Sequence, residues 1–134
     1  MTDFEEARNY LNHVTGFAKK TSLSNVQWIL DVLGNPEKDL FMIHVAGTNG
    51  KGSVCAFLDS ILTGAGIRTG RFSSPHLIRM EERIQIGGRE ISEKRFSEVF
   101  AKVKNAVFQA VKEGADHPSF FEFLFFMSLV FFRG

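Results

Sequence analysis

The sequence predicts an α/β fold: a three-layer α/β/α arrangement around a central, mostly parallel sheet, preceded by an N-terminal helical segment. Three observations predict it. The run Leu40 to Ala46 is continuously apolar apart from His44, as a strand covered on both faces is. A glycine-rich turn, Gly47-Thr48-Asn49-Gly50-Lys51-Gly52-Ser53, follows at once and opens into a segment of helical periodicity. Two further segments with an apolar face every three to four residues lie before that run, within residues 1–37.

The turn has the makings of a phosphate cradle of the P-loop type. Gly47, Gly50 and Gly52 remove side chains that would keep a phosphate off the backbone, so N–H groups can converge on an anion. The positive end of the following helix stands behind them. Lys51 adds a point charge suited to the outer phosphates, and Ser53 offers a hydroxyl to Mg²⁺. Thr48 and Asn49 shape the loop. ATP and Mg²⁺ are therefore the expected cofactors, with Lys51 as the candidate catalytic residue. The string departs from the common pattern: Val45 stands where a first glycine would, and Gly52 follows the lysine in place of Ser or Thr.

The elements follow in order. Thr2-Asp3-Phe4-Glu5 reads as a capping box for a helix over 3–14, with Phe4, Ala7, Leu11 and Val14 on one face. Ser24 to Gln27 reads as a second capping box, with Val26, Ile29, Leu30 and Leu33 as the buried face and Gly34 and Pro36 as the stop. His44 is expected to be a hydrogen-bonded core histidine. Residues 52–65 should form a helix burying Val54, Phe57, Leu58, Ile61 and Leu62, with Cys55 as a small core residue. A short strand over 67–73 is followed by the loop Ser74-Pro75-His76-Leu77. A hairpin then turns at Gly87-Gly88. Ser92 caps a helix reaching about Lys112, and a last helix spans 120–132.

That last segment contains seven phenylalanines and one charge, Glu122. A buried unpaired carboxylate costs several kcal/mol, so it requires a cation, a proton or strong donors. A glutamate in a helical first turn, facing solvent and favoured by the helix dipole, accounts for the residue equally well. Ser74 on its own reads as the start of a Ser-Pro turn.

Composition bounds the rest. The 134 residues suit one domain; 44% are hydrophobic and 23% charged, a globular rather than disordered balance. A net charge of +1 suggests neither a nucleic acid nor a membrane partner. The single cysteine excludes an internal disulfide and fits a cytoplasmic location, and no leader for export is expected. The apolar stretch 120–132 is too short to span a membrane.

Gly-Thr-Asn-Gly-Lys-Gly-Ser resembles the loop of folylpolyglutamate synthases and dihydrofolate synthases, members of the Mur ligase superfamily. Leu33-Gly34-Asn35-Pro36-Glu37, the Ser73-Ser74-Pro75-His76-Leu77 block with Glu82-Arg83-Ile84, and Phe120-Phe121-Glu122-Phe123 resemble further segments of that family, in order. The resemblance implies ligation of L-glutamate to folate or dihydropteroate through an acyl phosphate made from ATP. It implies Ser74 and Glu122, with Ser53, as Mg²⁺ ligands. It also implies an incomplete ATP-binding domain over 1–134, with a helical preface at 1–37 and a P-loop core at 38–134. The family's acidic glycine-rich signature and C-terminal domain are not in the sequence, so a catalytically incomplete chain is expected. Its last helix would then expose an apolar patch prone to dimerisation or swapping. The alternatives are another Mur-type amide ligase, against which Gly52 argues, and a non-catalytic nucleotide-binding module.

Overall fold

The computed structural model describes residues 2–45, 51–73 and 78–134, the first three of the middle span by backbone alone. The chain forms two units: Met1–Leu40 with Glu93–Gly134, and Phe41–Ser92.

The first unit is helical. Helix α1 spans Asp3–Phe17, and the Thr2 hydroxyl accepts from the Glu5 N–H at 3.1 Å. Helix α2 spans Leu23–Val32 and leads into a 3-10 turn at Pro36–Asp39. Its cap differs from the expected one. Ser22, not Ser24, accepts from the Asn25 N–H at 3.1 Å, and Gln27 donates to Asp31 and Asn35 instead of reaching back. Either serine satisfies the local pattern; the fold selects Ser22 because Asn25 is drawn into a buried contact described below. Gly34, at φ +86°, closes the helix end, and Asn35 donates its N–H to Leu30 O at 2.8 Å.

The long α4, Glu93–Lys112, packs against α1, α2 and α5, the last spanning Phe120–Arg133. Ala7, Leu11 and Val14 of α1 meet Phe96, Val99, Val103 and Val107 of α4 in a core with Phe123, Leu124, Phe126 and Met127 of α5. Rings interlock at edge-on or tilted angles: Phe4 on Phe96 at 5.4 Å and Phe100 on Phe123 at 5.5 Å between centroids. Trp28 of α2 lies against Gly114, whose φ of +112° follows the end of α4. Arg133 pairs with Asp39 at 2.9 Å and donates to Gly34 O at 3.3 Å, holding the end of α5 to the 3-10 turn.

This packing corrects the expectation of a broad open patch on the last helix. Phe123, Leu124, Phe126, Met127 and Leu129 are buried by neighbours within the same unit, and among the large apolar side chains of α5 only Phe121 is exposed, at 49%. No dimer through α5 follows from it. No described helix is long and apolar enough to cross a membrane.

The second unit holds α3, Lys51–Gly64, and a three-stranded antiparallel sheet in the order β1-β2-β3: Gly70–Phe72, Ile84–Ile86 and Arg89–Glu90. Phe72 pairs with Ile84, and Ile86 with Arg89. The expected hairpin forms, with Gly87 and Gly88 at φ +58° and +78°, values that favour glycine at both turn positions. The run after Leu40 does not form the expected strand: residues 41–45 carry no ladder, and Ala46 lies outside the described residues. Phe41, Met42 and Ile43 are more than half exposed, and His44 is exposed rather than in a core. A strand exists only through its neighbours, and no described strand pairs here. Val54, Phe57 and Ile61 of α3 are likewise open within this unit, while Cys55 is half-buried.

His117, in the link to α5, joins α1 to this core. Its Nδ1 donates to Pro118 O at 2.8 Å, which leaves Nε2 of the neutral ring to accept from the Tyr10 hydroxyl at 2.6 Å. The Lys104 ammonium stands 5.0 Å from the Tyr10 ring centre. Burial lowers the His117 pKa from 6.5, partly opposed by the Pro118 bond. The unfolded chain therefore takes up this proton first as pH falls. The His117 contribution is full above 6.5 and is lost as pH drops through that value toward the lower folded one. Urea unfolding between pH 7.5 and 5 should show a falling midpoint, and His117→Gln should flatten that slope. An unchanged slope would refute the assignment.

Candidate functional site

The phosphate cradle is only partly within view. Gly47, Thr48, Asn49 and Gly50 lie outside the described residues, as does Ser74. Lys51, Gly52 and Ser53 form the first turn of α3, as a phosphate loop opening into a helix requires.

Glu122 is fully described. It stands at the third position of α5, in a capping box with Ser119: Glu122 N–H donates to Ser119 Oγ at 3.2 Å, and Ser119 N–H donates to Glu122 Oε1 at 3.0 Å. It does not face solvent. It is 8% exposed, because the loop between α1 and α2 closes over it. From that loop the Thr21 hydroxyl donates to Oε1 and the Thr21 N–H to Oε2, both at 3.0 Å. The carboxylate thus accepts three hydrogen bonds from neutral donors, and no lysine, arginine or histidine among the described residues pairs with it.

A second contact reinforces the first. Asn25, 6% exposed in the first turn of α2, donates from Nδ2 to Asp116 O at 2.9 Å and accepts the Asp116 N–H at 2.8 Å. The side-chain amide completes a peptide-like pair with the segment leading to α5. Thr21 and Asn25 were not singled out by the sequence. Both partners lie more than ninety residues away, so no local pattern announces them. The one local signal is that both are polar residues flanking the Ser22 cap, Thr21 just before it and Asn25 in the first turn after it.

Among the described residues no group of three His, Cys, Asp or Glu side chains could hold a metal ion. The candidate set Ser53, Ser74 and Glu122 is all oxygen, which suits a hard cation such as Mg²⁺. A carboxylate offers about four lone-pair directions; three are taken at Glu122, and one, on Oε2, is left.

No protein-family model matches the chain. Its similarity to individual proteins is extensive. It is 34% identical over 131 residues to the dihydrofolate synthase/folylpolyglutamate synthase of Bacillus subtilis, covering 98% of this chain and 30% of that protein. The structure of Mycobacterium tuberculosis folylpolyglutamate synthase complexed with ADP superposes with a TM-score of 0.88 at 30% identity, over 98% of this chain and 29% of that one. A bifunctional folylpolyglutamate synthase/dihydrofolate synthase with Mn, AMPPNP and L-glutamate bound superposes at 0.82 with 34% identity, over 99% and 30%. The chain thus spans less than a third of the length of the proteins it resembles.

Removing the cap should destabilise the first unit in graded steps. Ser119→Ala is expected to cost about 1 kcal/mol in urea unfolding. Glu122→Ala should cost more than Ser119→Ala, up to about 3 kcal/mol, since it orphans the Thr21 and Ser119 donors. Equal effects of the two would mean that the Thr21 bonds contribute nothing.

Proposed function

We propose that this chain, which resembles folylpolyglutamate and dihydrofolate synthases along 98% of its length, carries the nucleotide-binding part of a cytoplasmic ATP-dependent ligase. The ligase would join L-glutamate to folate or dihydropteroate through an acyl phosphate. The observation that carries the reading is the loop Gly47 to Ser53 leading into α3 at Lys51, within a chain matched throughout by a synthase structure holding ADP.

In this reading residues 1–37 form a helical preface and residues 38–134 contribute to a three-layer P-loop core. The amides of Gly47, Thr48, Asn49, Gly50 and Gly52 and the Lys51 ammonium would stabilise charge on the phosphoryl group passing to the substrate carboxylate. Ser53, Ser74 and Glu122 would hold Mg²⁺. When bound, Mg²⁺ supplies charge neutralisation at the phosphate oxygens. Lys51 is the residue whose loss would matter most, because it alone in the loop brings a full positive charge. Turnover is assigned to a protein of the relatives' length, and nucleotide binding to this chain.

Isothermal titration with Mg-ATP tests this. The wild-type chain should bind saturably, and Lys51→Ala should weaken binding by at least about tenfold, or about 1.4 kcal/mol. Absence of saturable binding, or binding untouched by Lys51→Ala, would overturn the assignment.

A further inference from the structure

Glu122 is a buried carboxylate that no cationic side chain faces among the described residues. Glu122 is 8% exposed and is held only by neutral donors. Neutral donors and the N-terminal end of α5 stabilise the carboxylate, but no full positive charge among the described side chains balances it. The arrangement suits a residue that is completed by a cation.

We propose that Thr21 is the positioning residue for that cation site: its hydroxyl and N–H bracket the two oxygens of Glu122 and leave one lone pair, on Oε2, for a hard divalent ion. The inference rests on the Mg²⁺ reading of Glu122 given above and adds to it a residue from a different part of the chain.

The geometry separates the roles of the donors. Ser119 reaches Oε1 alone, so it fixes one oxygen and leaves the carboxylate free to turn about the bond that carries it. Thr21 reaches both oxygens, from two atoms of one residue, each at 3.0 Å. Two anchors across the group fix its plane, and fixing the plane fixes where the last lone pair points. Thr21 immediately precedes the Ser22 cap of α2, and the Asn25–Asp116 pair ties the first turn of that helix to the segment before α5. The loop carrying Thr21 is thereby held on the same side as its acceptor. Partners that orient a metal-binding carboxylate set affinity by about 10–100-fold when removed.

Mn²⁺ titration followed by electron paramagnetic resonance, in the presence of ADP, tests the proposal on the chain and its variants. Thr21→Val removes the hydroxyl and keeps the backbone donor; it should weaken Mn²⁺ binding about 10–100-fold. Thr21→Ser restores the hydroxyl and should restore affinity, which a merely structural contact would not require. Glu122→Gln should abolish the Mn²⁺ signal change. Circular dichroism confirms that each variant is folded, and Thr21→Ala replaces Thr21→Val if the latter is not. Weakening by Glu122→Gln with wild-type affinity in Thr21→Val would overturn the role of Thr21 and leave the metal reading standing. Equal weakening in the Val and Ser variants would also overturn it. Wild-type affinity in Glu122→Gln, or no saturable Mn²⁺ binding at all, would remove the metal reading itself, and the positioning role with it.

Discussion

The Glu122 carboxylate is the constraint around which the helical unit closes. Its partners come from opposite ends of the sequence: Thr21 from the loop after α1 and Ser119 from the start of α5. Apolar packing between α1, α4 and α5 supplies the driving force for collapse, but it is not directional. The three hydrogen bonds are directional, and they pay out only in one register of these helices. A slide of α5 along α4 by a single turn would strand a buried charge, at a cost far above that of a misplaced methyl group. The same contact that specifies the register also presents a carboxylate in a defined orientation. Stability and site geometry are therefore one requirement here.

Local rules made the helices legible. The spacing of Ala7, Leu11 and Val14, and of Phe96, Val99, Val103 and Val107, marks faces that are buried in the structure. Gly87-Gly88 marked the hairpin turn, since few other residue pairs accept two positive φ angles. The cap of α2 was misplaced by two residues because Ser22 and Ser24 both satisfy the same short pattern, and the choice depends on Asn25 meeting Asp116, 91 residues away. The partners of Glu122 were hidden for the same reason. Its two competing readings as an isolated charge were both incomplete: it caps its helix, as a first-turn glutamate does, yet it is buried, as a functional one would be.

The run after Leu40 teaches a different lesson. Apolar composition is necessary for a central strand, but strand geometry is a property of a pair. With no described neighbour, Phe41, Met42 and Ile43 stay open despite a pattern that reads as core. Val54, Phe57 and Ile61 on α3 behave alike. Hydrophobic periodicity predicts which side chains seek cover; it does not say that cover is present.

The chain holds one tryptophan and one tyrosine, and both lie in the helical unit: Trp28 against Gly114, Tyr10 against His117. The unit of residues 41–92 contains neither. Tryptophan and tyrosine absorption and emission thus report only on the helical unit. A fluorescence trace follows the helices and is blind to α3 and its hairpin, whereas far-ultraviolet dichroism sees both. Disagreement between the two signals would distinguish stepwise from concerted loss of structure without any introduced label.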